Sequence, residues 1–346
     1  MLTPQLEELI RRMPKVELHL HLEGTITPRT LLELARRNGV TLPAADEAGV
    51  AALFRYRDFG EFLDIFMALA RAIVSGEDFE RLAYELGLDL AAQAVCYAEV
   101  MISPMQYINR GLDLREVIEG TLAGFARAER EVGIVLRLAL DYGRQYGPDR
   151  AWAVLDVVRQ TKALGVVGWS IGGNEIGHPP EPFAPIFAAA RAAGLGLMAH
   201  AGEVVGPASI WGAIDALGVS RLGHGVRAID DPALMLALRE RGIVLDVCPS
   251  SNVLTGAVET WPAHPLRRLY DAGILVTINS DDPTFFATTL SEEYRRALLR
   301  LGMGIDDLCA TVLTAARAAF LPPAQRTALA ERVAAEFRTL RAELGV

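Results

Sequence analysis

The sequence is poor in cysteine, and the few cysteines are badly placed for pairing. Cys96, Cys248 and Cys309 are odd in number and far apart, and none belongs to a Cys-x-x-Cys pair. Structural disulfides persist in oxidising compartments and are rare in the cytosol. The cysteine pattern therefore predicts a reducing, cytoplasmic location.

Long apolar runs and an excess of positive charge are also lacking. No stretch reaches the roughly 18 apolar residues of a membrane helix, and residues 1–12 lack the apolar segment of a signal peptide. Acidic residues outnumber basic ones by 43 to 34, and the formal net charge is −9. Nucleic-acid binding needs clustered Lys and Arg. We therefore expect neither a membrane nor a nucleic-acid partner, and a small-molecule substrate.

The chain does contain a regular alternation of short apolar runs with longer helical runs rich in Ala, Leu, Arg and Glu. The apolar runs predict strands at residues 16–22, 94–103, 134–141, 166–171, 195–200, 221–223, 243–248 and 274–280. Strands that alternate with helices favour the α/β class with a parallel sheet. Eight such strands predict a (β/α)8 TIM-type barrel.

The 346 residues are predicted to form a single barrel domain, residues 1–346, because such barrels often exceed the usual domain length. The connection after the first strand is long and begins with Thr27 before Pro28, a helix start signal. An insertion there lies over the mouth of a barrel, so residues 27–90 are a candidate helical lid; a decoration without a role in the chemistry is the alternative. Residues 322–346 predict an extra C-terminal helix.

Two histidines alternate along the first predicted strand. Side chains two residues apart point to the same face, so His19 and His21 lie side by side and the intervening leucine lies on the other face. Neutral imidazole is a standard zinc ligand. The pair alone is also typical of a hydrogen-bonded polar pair, so a metal site needs further ligands.

Three other predicted strands end in polar residues of the same kind, where the active sites of barrels of this class lie. Strand five is followed by His200-Ala-Gly-Glu203, strand six by Gly-His224-Gly, and strand eight by Ser-Asp281-Asp282-Pro. A lone histidine or acid at such a position is usually structural. Together these ends predict a divalent metal site, and histidines with a carboxylate suit zinc with a water completing the shell.

Lysine is nearly absent, and this limits the number of metal ions. Some metal-dependent hydrolase barrels hold two ions bridged by a carboxylated lysine at the end of strand four. Lys15 and Lys162 are the only lysines here, and neither lies at the carboxyl end of a predicted strand. We therefore expect one metal ion per chain, which would lower the pKa of a bound water towards about 7.

Ordered motifs along nearly the whole chain resemble the adenosine deaminase branch of the amidohydrolase barrels. They are His-x-His-x-Glu-Gly at 19–24, Gly-Gly-Asn-Glu at 172–175, His-Ala-Gly-Glu at 200–203, Gly-His-Gly at 223–225 and Ser-Asp-Asp-Pro at 280–283. The resemblance implies hydrolytic deamination of a 6-aminopurine to the 6-oxo purine and ammonia.

The resemblance also implies a role for each site residue. Glu203 would protonate purine N1 during attack at C6, and His224 would be the base that orients the metal-bound water. Asp282 would accept a hydrogen bond from the purine N7 side, and the backbone N–H of Gly173 would meet N3. A carboxyl donor at Glu203 requires that burial raise its pKa. The implied ligands of the single zinc are His19, His21, His200 and Asp281.

The motifs leave several substrates open. Glu23 stands where nucleoside-specific members usually have aspartate, at a position that meets the ribose 5′ side. The segment at 223–225 is similar to nucleoside enzymes, whereas residues 175–180 look like the adenine-type sequence. We expect a nucleoside, either adenosine or a 5′-modified adenosine such as 6-amino-6-deoxyfutalosine, with adenine as the alternative.

Two readings outside this class are also open. A mononuclear metal-dependent amide or ester hydrolase would use the same activated water. A metal-binding protein that keeps the fold as an extracellular ligand is disfavoured by the intact Glu203 and His224 and by the missing export signal.

Overall fold

The strands form one parallel barrel in a computed structural model that describes residues 2–55 and 59–346. The strand order follows the sequence. The strands are β1 (Lys15–His21), β2 (Val95–Ile102), β3 (Val135–Gly143), β4 (Val166–Gly172), β5 (Gly196–Ala201), β6 (Arg221–His224), β7 (Val244–Val247) and β8 (Leu275–Ile278). This confirms the predicted (β/α)8 fold.

The barrel closes between its first and last strands through a short backbone contact. Leu20 of β1 forms a parallel bridge with Asp281, which lies just beyond β8. The Asp281 carbonyl accepts a hydrogen bond from His21 N at 2.9 Å, and Asp281 N donates to the His19 carbonyl at 3.2 Å. Closure therefore joins the segments that carry three of the predicted ligands.

Helices fill the connections between the strands. They are α1 (Pro4–Arg12), α2 (Pro28–Arg37), α3 (Glu47–Leu53), α4 (Phe59–Leu69), α5 (Gly76–Ala92), α6 (Pro104–Ile108), α7 (Leu114–Val132), α8 (Pro148–Thr161), α9 (Ala184–Ala192), α10 (Pro207–Gly212), α11 (Pro232–Arg241), α12 (Pro249–Leu254), α13 (Leu266–Asp271), α14 (Leu290–Arg300), α15 (Ile305–Ala318) and α16 (Pro323–Leu344). None of the helices in the described part of the chain combines the length and apolarity that a bilayer crossing requires.

The predicted insertion after the first strand contains α2, α3, α4 and α5, and residues 56–58 within it lie outside the described residues. The predicted cap at Thr27 is present, since its hydroxyl accepts a hydrogen bond from Thr30 N at 3.1 Å. At the other end of the chain the predicted terminal helix is α16, which packs against α15 and α1.

An aromatic plug closes the amino-terminal end of the barrel. The ring of Phe320 packs against the interior residues Met101, Ala139 and Met198. Above it, the buried Arg221 guanidinium lies 3.9 Å from the ring centroid and pairs with Glu99 at 2.7 Å. Burying a charge is costly unless it is paired, and the Arg221 charge is paired with Glu99. The opposite, carboxyl-terminal mouth is left for the site.

We predict that the plug leaves no room for a methyl group at Gly196. A Cβ there would lie 2.1 Å from Phe320 Cγ. Gly196→Ala should therefore lower the free energy of unfolding by roughly 1–3 kcal/mol in urea titrations, as overpacking does. In a Phe320→Ala background the same change should cost less, because the ring is gone.

The matched control is Gly304→Ala, whose added Cβ would have only the Asp307 carboxylate near it, at 3.4 Å. Equal costs of Gly196→Ala with and without the Phe320 ring would contradict the plug.

Candidate metal and catalytic site

The four predicted ligands meet at the carboxyl-terminal mouth of the barrel. His21 Nε2 lies 3.3 Å from His200 Nε2 and 3.4 Å from Asp281 Oδ1. His19 Nε2 lies 3.2 Å from the same carboxylate oxygen. The donor atoms thus converge on one small space from β1, β5 and the end of β8.

These side chains fit a divalent metal ion. Although Asp281 lies close, neither ring nitrogen of the fully buried His19 makes a hydrogen bond of acceptable geometry with any described residue. Burial lowers the pKa of His19 and of His21, so both imidazoles are neutral as ligands must be. Burial alone would raise the pKa of Asp281, but the neighbouring histidines lower it, so this carboxylate is ionised.

A glycine and two strained residues shape the metal site. At Gly223 a Cβ would lie 2.6 Å from His19 Cε1, so only glycine leaves space for this ring. His224 and Asp281 have φ angles of 61° and 64°, in the left-handed region that non-glycine residues rarely adopt. Such backbone costs of order 1–3 kcal/mol per residue and clusters at functional sites. In this protein the strained residues are Asp281, a predicted ligand, and His224, a predicted catalytic residue.

The two predicted catalytic residues lie together beside the ligands. His224 Nε2 is 3.6 Å from Glu203 Oε2 and 3.9 Å from Asp281 Oδ2. Burial, reinforced by the Asp281 carboxylate, raises the pKa of Glu203 to about 8. Glu203 therefore carries a proton at neutral pH, which is the state that a general acid needs.

The loop that carries Glu203 is held by a second carboxylate. Glu175 Oε1 accepts a hydrogen bond from Gly202 N at 2.7 Å, and Oε2 accepts from Val204 N at 2.8 Å and from Val205 N at 2.9 Å. Hydrogen bonds to an ionised group are among the stronger ones. The sequence analysis named the motif containing Glu175 but gave this residue no role; no local pattern shows which backbone amides a buried acid will reach.

Asp141 is a site residue that the sequence analysis missed. It lies on β3, where its Oδ1 is 3.3 Å from His200 Nδ1 and accepts a hydrogen bond from the Ser170 hydroxyl at 2.6 Å. Metal-binding histidines commonly donate their second N–H to a carboxylate, which fixes the ring. Asp141 is the last residue of the third predicted strand, so the strand-end criterion that found Asp281 could also have found it.

A cleft opens from the ligands towards solvent, with an empty volume of ≈ 810 Å³. Its lining includes Asp282 and Gly173, two of the three residues predicted to bind substrate. The third, Glu23, does not line it: the buried Glu23 Oε1 accepts a hydrogen bond from Ser103 N at 2.8 Å, and Ser103 lies on the cleft wall. Burial raises the pKa of Glu23 to about 7. Glu23 thus lies one layer behind the surface that a substrate would touch.

A histidine and carboxylate cluster at the carboxyl ends of barrel strands, next to a buried proton donor, is typical of metal-dependent hydrolases. Within that class the chain belongs to the adenosine deaminase family, whose sequence profile matches residues 14–336.

The names of similar proteins give two different activities. An adenine deaminase from Caulobacter vibrioides is 37% identical over 328 residues, which cover 95% of this chain and 94% of that protein. An aminodeoxyfutalosine deaminase from Streptomyces avermitilis is 37% identical over 339 residues, covering 97% and 94%. The relatives therefore support an aminopurine deaminase and differ in substrate.

Solved structures confirm the likeness of the fold. An adenine deaminase from Arthrobacter aurescens has a TM-score of 0.89 and 30% identity, covering 94% of this chain and 99% of its own. An amidohydrolase from Burkholderia ambifaria with bound Zn has a TM-score of 0.92 and 30% identity, covering 100% and 96%.

We predict that Glu175→Gln loosens the loop that carries Glu203. The amide group of glutamine presents N–H groups to backbone donors, so at least one of the three hydrogen bonds is lost. A hydrogen bond to a charged group contributes about 1.5–3 kcal/mol, so exchange of the Gly202, Val204 and Val205 amides should accelerate roughly 10-fold to 100-fold in hydrogen-exchange measurements.

The control is Glu181→Gln, which changes an exposed carboxyl in the same connection. Unchanged exchange at these amides in Glu175→Gln would show that Glu175 does not hold the loop.

Proposed function

We propose that the protein is a zinc-dependent hydrolase that deaminates a 6-aminopurine nucleoside to the 6-oxo purine and ammonia. The observation that carries this is the buried Glu203, whose pKa burial raises to about 8, in the same cleft as three histidines and Asp281. The donor set and the zinc in the similar amidohydrolase support zinc as the metal. Because its cysteines are free, we further propose that this single-domain protein is cytoplasmic.

The proposed reaction forms a C6–O bond with water and breaks the C6–N bond. Zinc bound by His19, His21, His200 and Asp281 would supply Lewis-acid activation of the water. Glu203 gives its proton to N1, which accepts the electron density displaced by attack at C6. His224 orients the attacking water, the Glu203 carboxylate takes up one proton of that water, and the remaining hydroxyl proton passes to the amino group, which leaves as ammonia.

Two groups would hold the purine ring. The Gly173 N–H would meet N3; this glycine lines the cleft, and its φ of 80° lies in the region that favours glycine. Burial, with the adjacent Asp281 charge, raises the pKa of Asp282 well above its ordinary value. A protonated Asp282 donates a hydrogen bond to N7, which has a free lone pair in an N9-substituted purine. This reverses the direction of the N7 contact that the resemblance implied.

The extent of the cleft favours a nucleoside over a free base. Besides Gly173 and Asp282, the lining of the cleft includes Ser103, Gln106 and Tyr146, which follow β2 and β3. A purine alone would leave this part of the cleft empty, whereas a ribose with a 5′ group would fill it. Phe66 and Met67 of α4 also line the cleft, which supports the proposal that the helices after β1 act as a lid.

Among nucleosides we propose a 5′-modified adenosine such as 6-amino-6-deoxyfutalosine, or adenosine itself. The aminodeoxyfutalosine deaminase relative and the Gly-His-Gly segment at 223–225 support this choice. Free adenine is the second candidate, because the relative from Caulobacter vibrioides and the structure from Arthrobacter aurescens are named adenine deaminases.

We predict that the zinc-loaded protein turns over a nucleoside with a kcat/KM roughly 10²-fold above that for adenine, since the polar groups in the outer cleft pair only with a nucleoside. The measurement is ultraviolet absorbance with ammonia release for adenosine, 6-amino-6-deoxyfutalosine and adenine. A preference for adenine would overturn the nucleoside assignment. If none of the three compounds were converted, the proposed deaminase activity would be overturned.

We predict that Glu203→Gln and His19→Ala fail in different ways. Glu203→Gln should keep one zinc per chain and lower kcat roughly 10²-fold or more, because it removes the proton donor alone. His19→Ala should lower zinc content measured by mass spectrometry. Zinc loss in Glu203→Gln, or full zinc occupancy in His19→Ala, would contradict the assigned roles; Glu181→Gln serves as the control.

A further inference from the structure

A directed chain of hydrogen bonds runs to His224 from a backbone amide outside the cleft. It starts at Leu266 N, which donates to His264 Nδ1 at 3.1 Å. A backbone amide can only donate, so this ring nitrogen has no proton. His264 is buried, and a neutral imidazole with a bare Nδ1 carries its proton on Nε2.

The next link in this chain of hydrogen bonds is the buried side-chain amide of Asn252. His264 Nε2 lies 3.4 Å from Asn252 Oδ1, which accepts a hydrogen bond from the Nε2–H group. Asn252 Nδ2 is then left to face His224 Nδ1, at 3.0 Å. The orientation of Asn252 is fixed because a reversed amide would set an N–H group against the N–H of His264. His224 Nδ1 therefore accepts a hydrogen bond, and its ring proton lies on Nε2.

We propose that Asn252 and His264 are positioning residues that hold His224 as the Nε2–H tautomer. Nε2 is the nitrogen that faces the site, 3.6 Å from Glu203 Oε2 and 3.9 Å from Asp281 Oδ2. His224 then orients the attacking water by donating a hydrogen bond, and it accepts no proton at Nε2. Donation by His224 replaces the role of base that the resemblance implied. The effect of the tautomer on turnover rests on the proposed function, whereas the tautomer itself does not.

The tautomer can be read directly in the wild-type protein. Zinc-loaded protein labelled with nitrogen-15 at its histidines gives separate signals for protonated and bare ring nitrogens, and His224→Gln identifies the His224 pair. The expected result is a protonated Nε2 and a bare Nδ1 for both His224 and His264. A proton on Nδ1 of His224 would overturn the proposal, whether or not the protein deaminates any purine.

Asn252→Asp reverses the last step of the chain without changing its shape. A carboxylate accepts from His264 Nε2 and also from His224 Nδ1, so His224 should switch to the Nδ1–H tautomer. We expect the nitrogen-15 pattern of His224 to invert, and kcat to fall roughly 10²-fold or more with little change in KM. The control is Asn109→Asp, the same chemical change at an exposed residue that accepts from Arg150.

A pair of variants at His264 tests the start of the chain. His264→Gln keeps an N–H donor for Asn252 and should retain most of kcat, whereas His264→Phe removes the donor and frees the amide to rotate. Mixed tautomers at His224 are expected only in His264→Phe. Equal kcat in the two variants with an unmixed tautomer would show that His264 serves packing alone. Circular dichroism establishes that each variant is folded.

Discussion

The closure of the barrel between β1 and β8 is the contact on which the site depends. The same two backbone hydrogen bonds that join Asp281 to His19 and His21 also bring their side chains to one point. A slip of one residue would turn both histidines to the opposite face. The metal site and the fold are therefore specified together, and the positive φ at Asp281 is the local strain of turning its carboxylate inward.

The surroundings shift the pKa values of neighbouring carboxyl groups in opposite directions. The histidines lower the pKa of Asp281, whereas burial and the Asp281 charge raise the pKa of Glu203 and of Asp282. Two adjacent residues of one motif, Asp281 and Asp282, are thus suited to different roles, the first to a metal ligand and the second to a hydrogen-bond donor. Three groups of the candidate site each have a polar partner behind them: Asp141 contacts the predicted ligand His200, Glu175 holds the loop of Glu203, and Asn252 contacts His224. This second layer allows buried polar groups to keep one geometry.

Sequence periodicity predicted the barrel well because buried parallel strands are nearly continuous apolar runs. Strand ends then predicted that histidines and acids from four strands meet, since parallel strands bring their carboxyl ends to one rim, and the family resemblance selected His19, His21, His200 and Asp281 among them as ligands. The supporting residues could not be predicted in the same way. Asn252 and His264 follow β7 on a short helix and a loop, and their contact depends on tertiary packing that no local period records. Asp141 was within reach of the strand-end argument, but its role needed its distance to His200.

The geometry of Glu23 suggests that selection among purines acts through the backbone of the cleft wall. Its carboxylate holds Ser103 N from behind, so a change in its length would move the wall and not remove a substrate contact. Gly24 next to it leaves room for Asp282, since a Cβ there would lie 2.0 Å from that carboxyl oxygen. β1 and the turn after it therefore carry two of the predicted ligands, the space beside Asp282 and the support for the cleft wall. One strand and its turn thus connect the predicted metal ligands to the backbone that shapes the cleft wall.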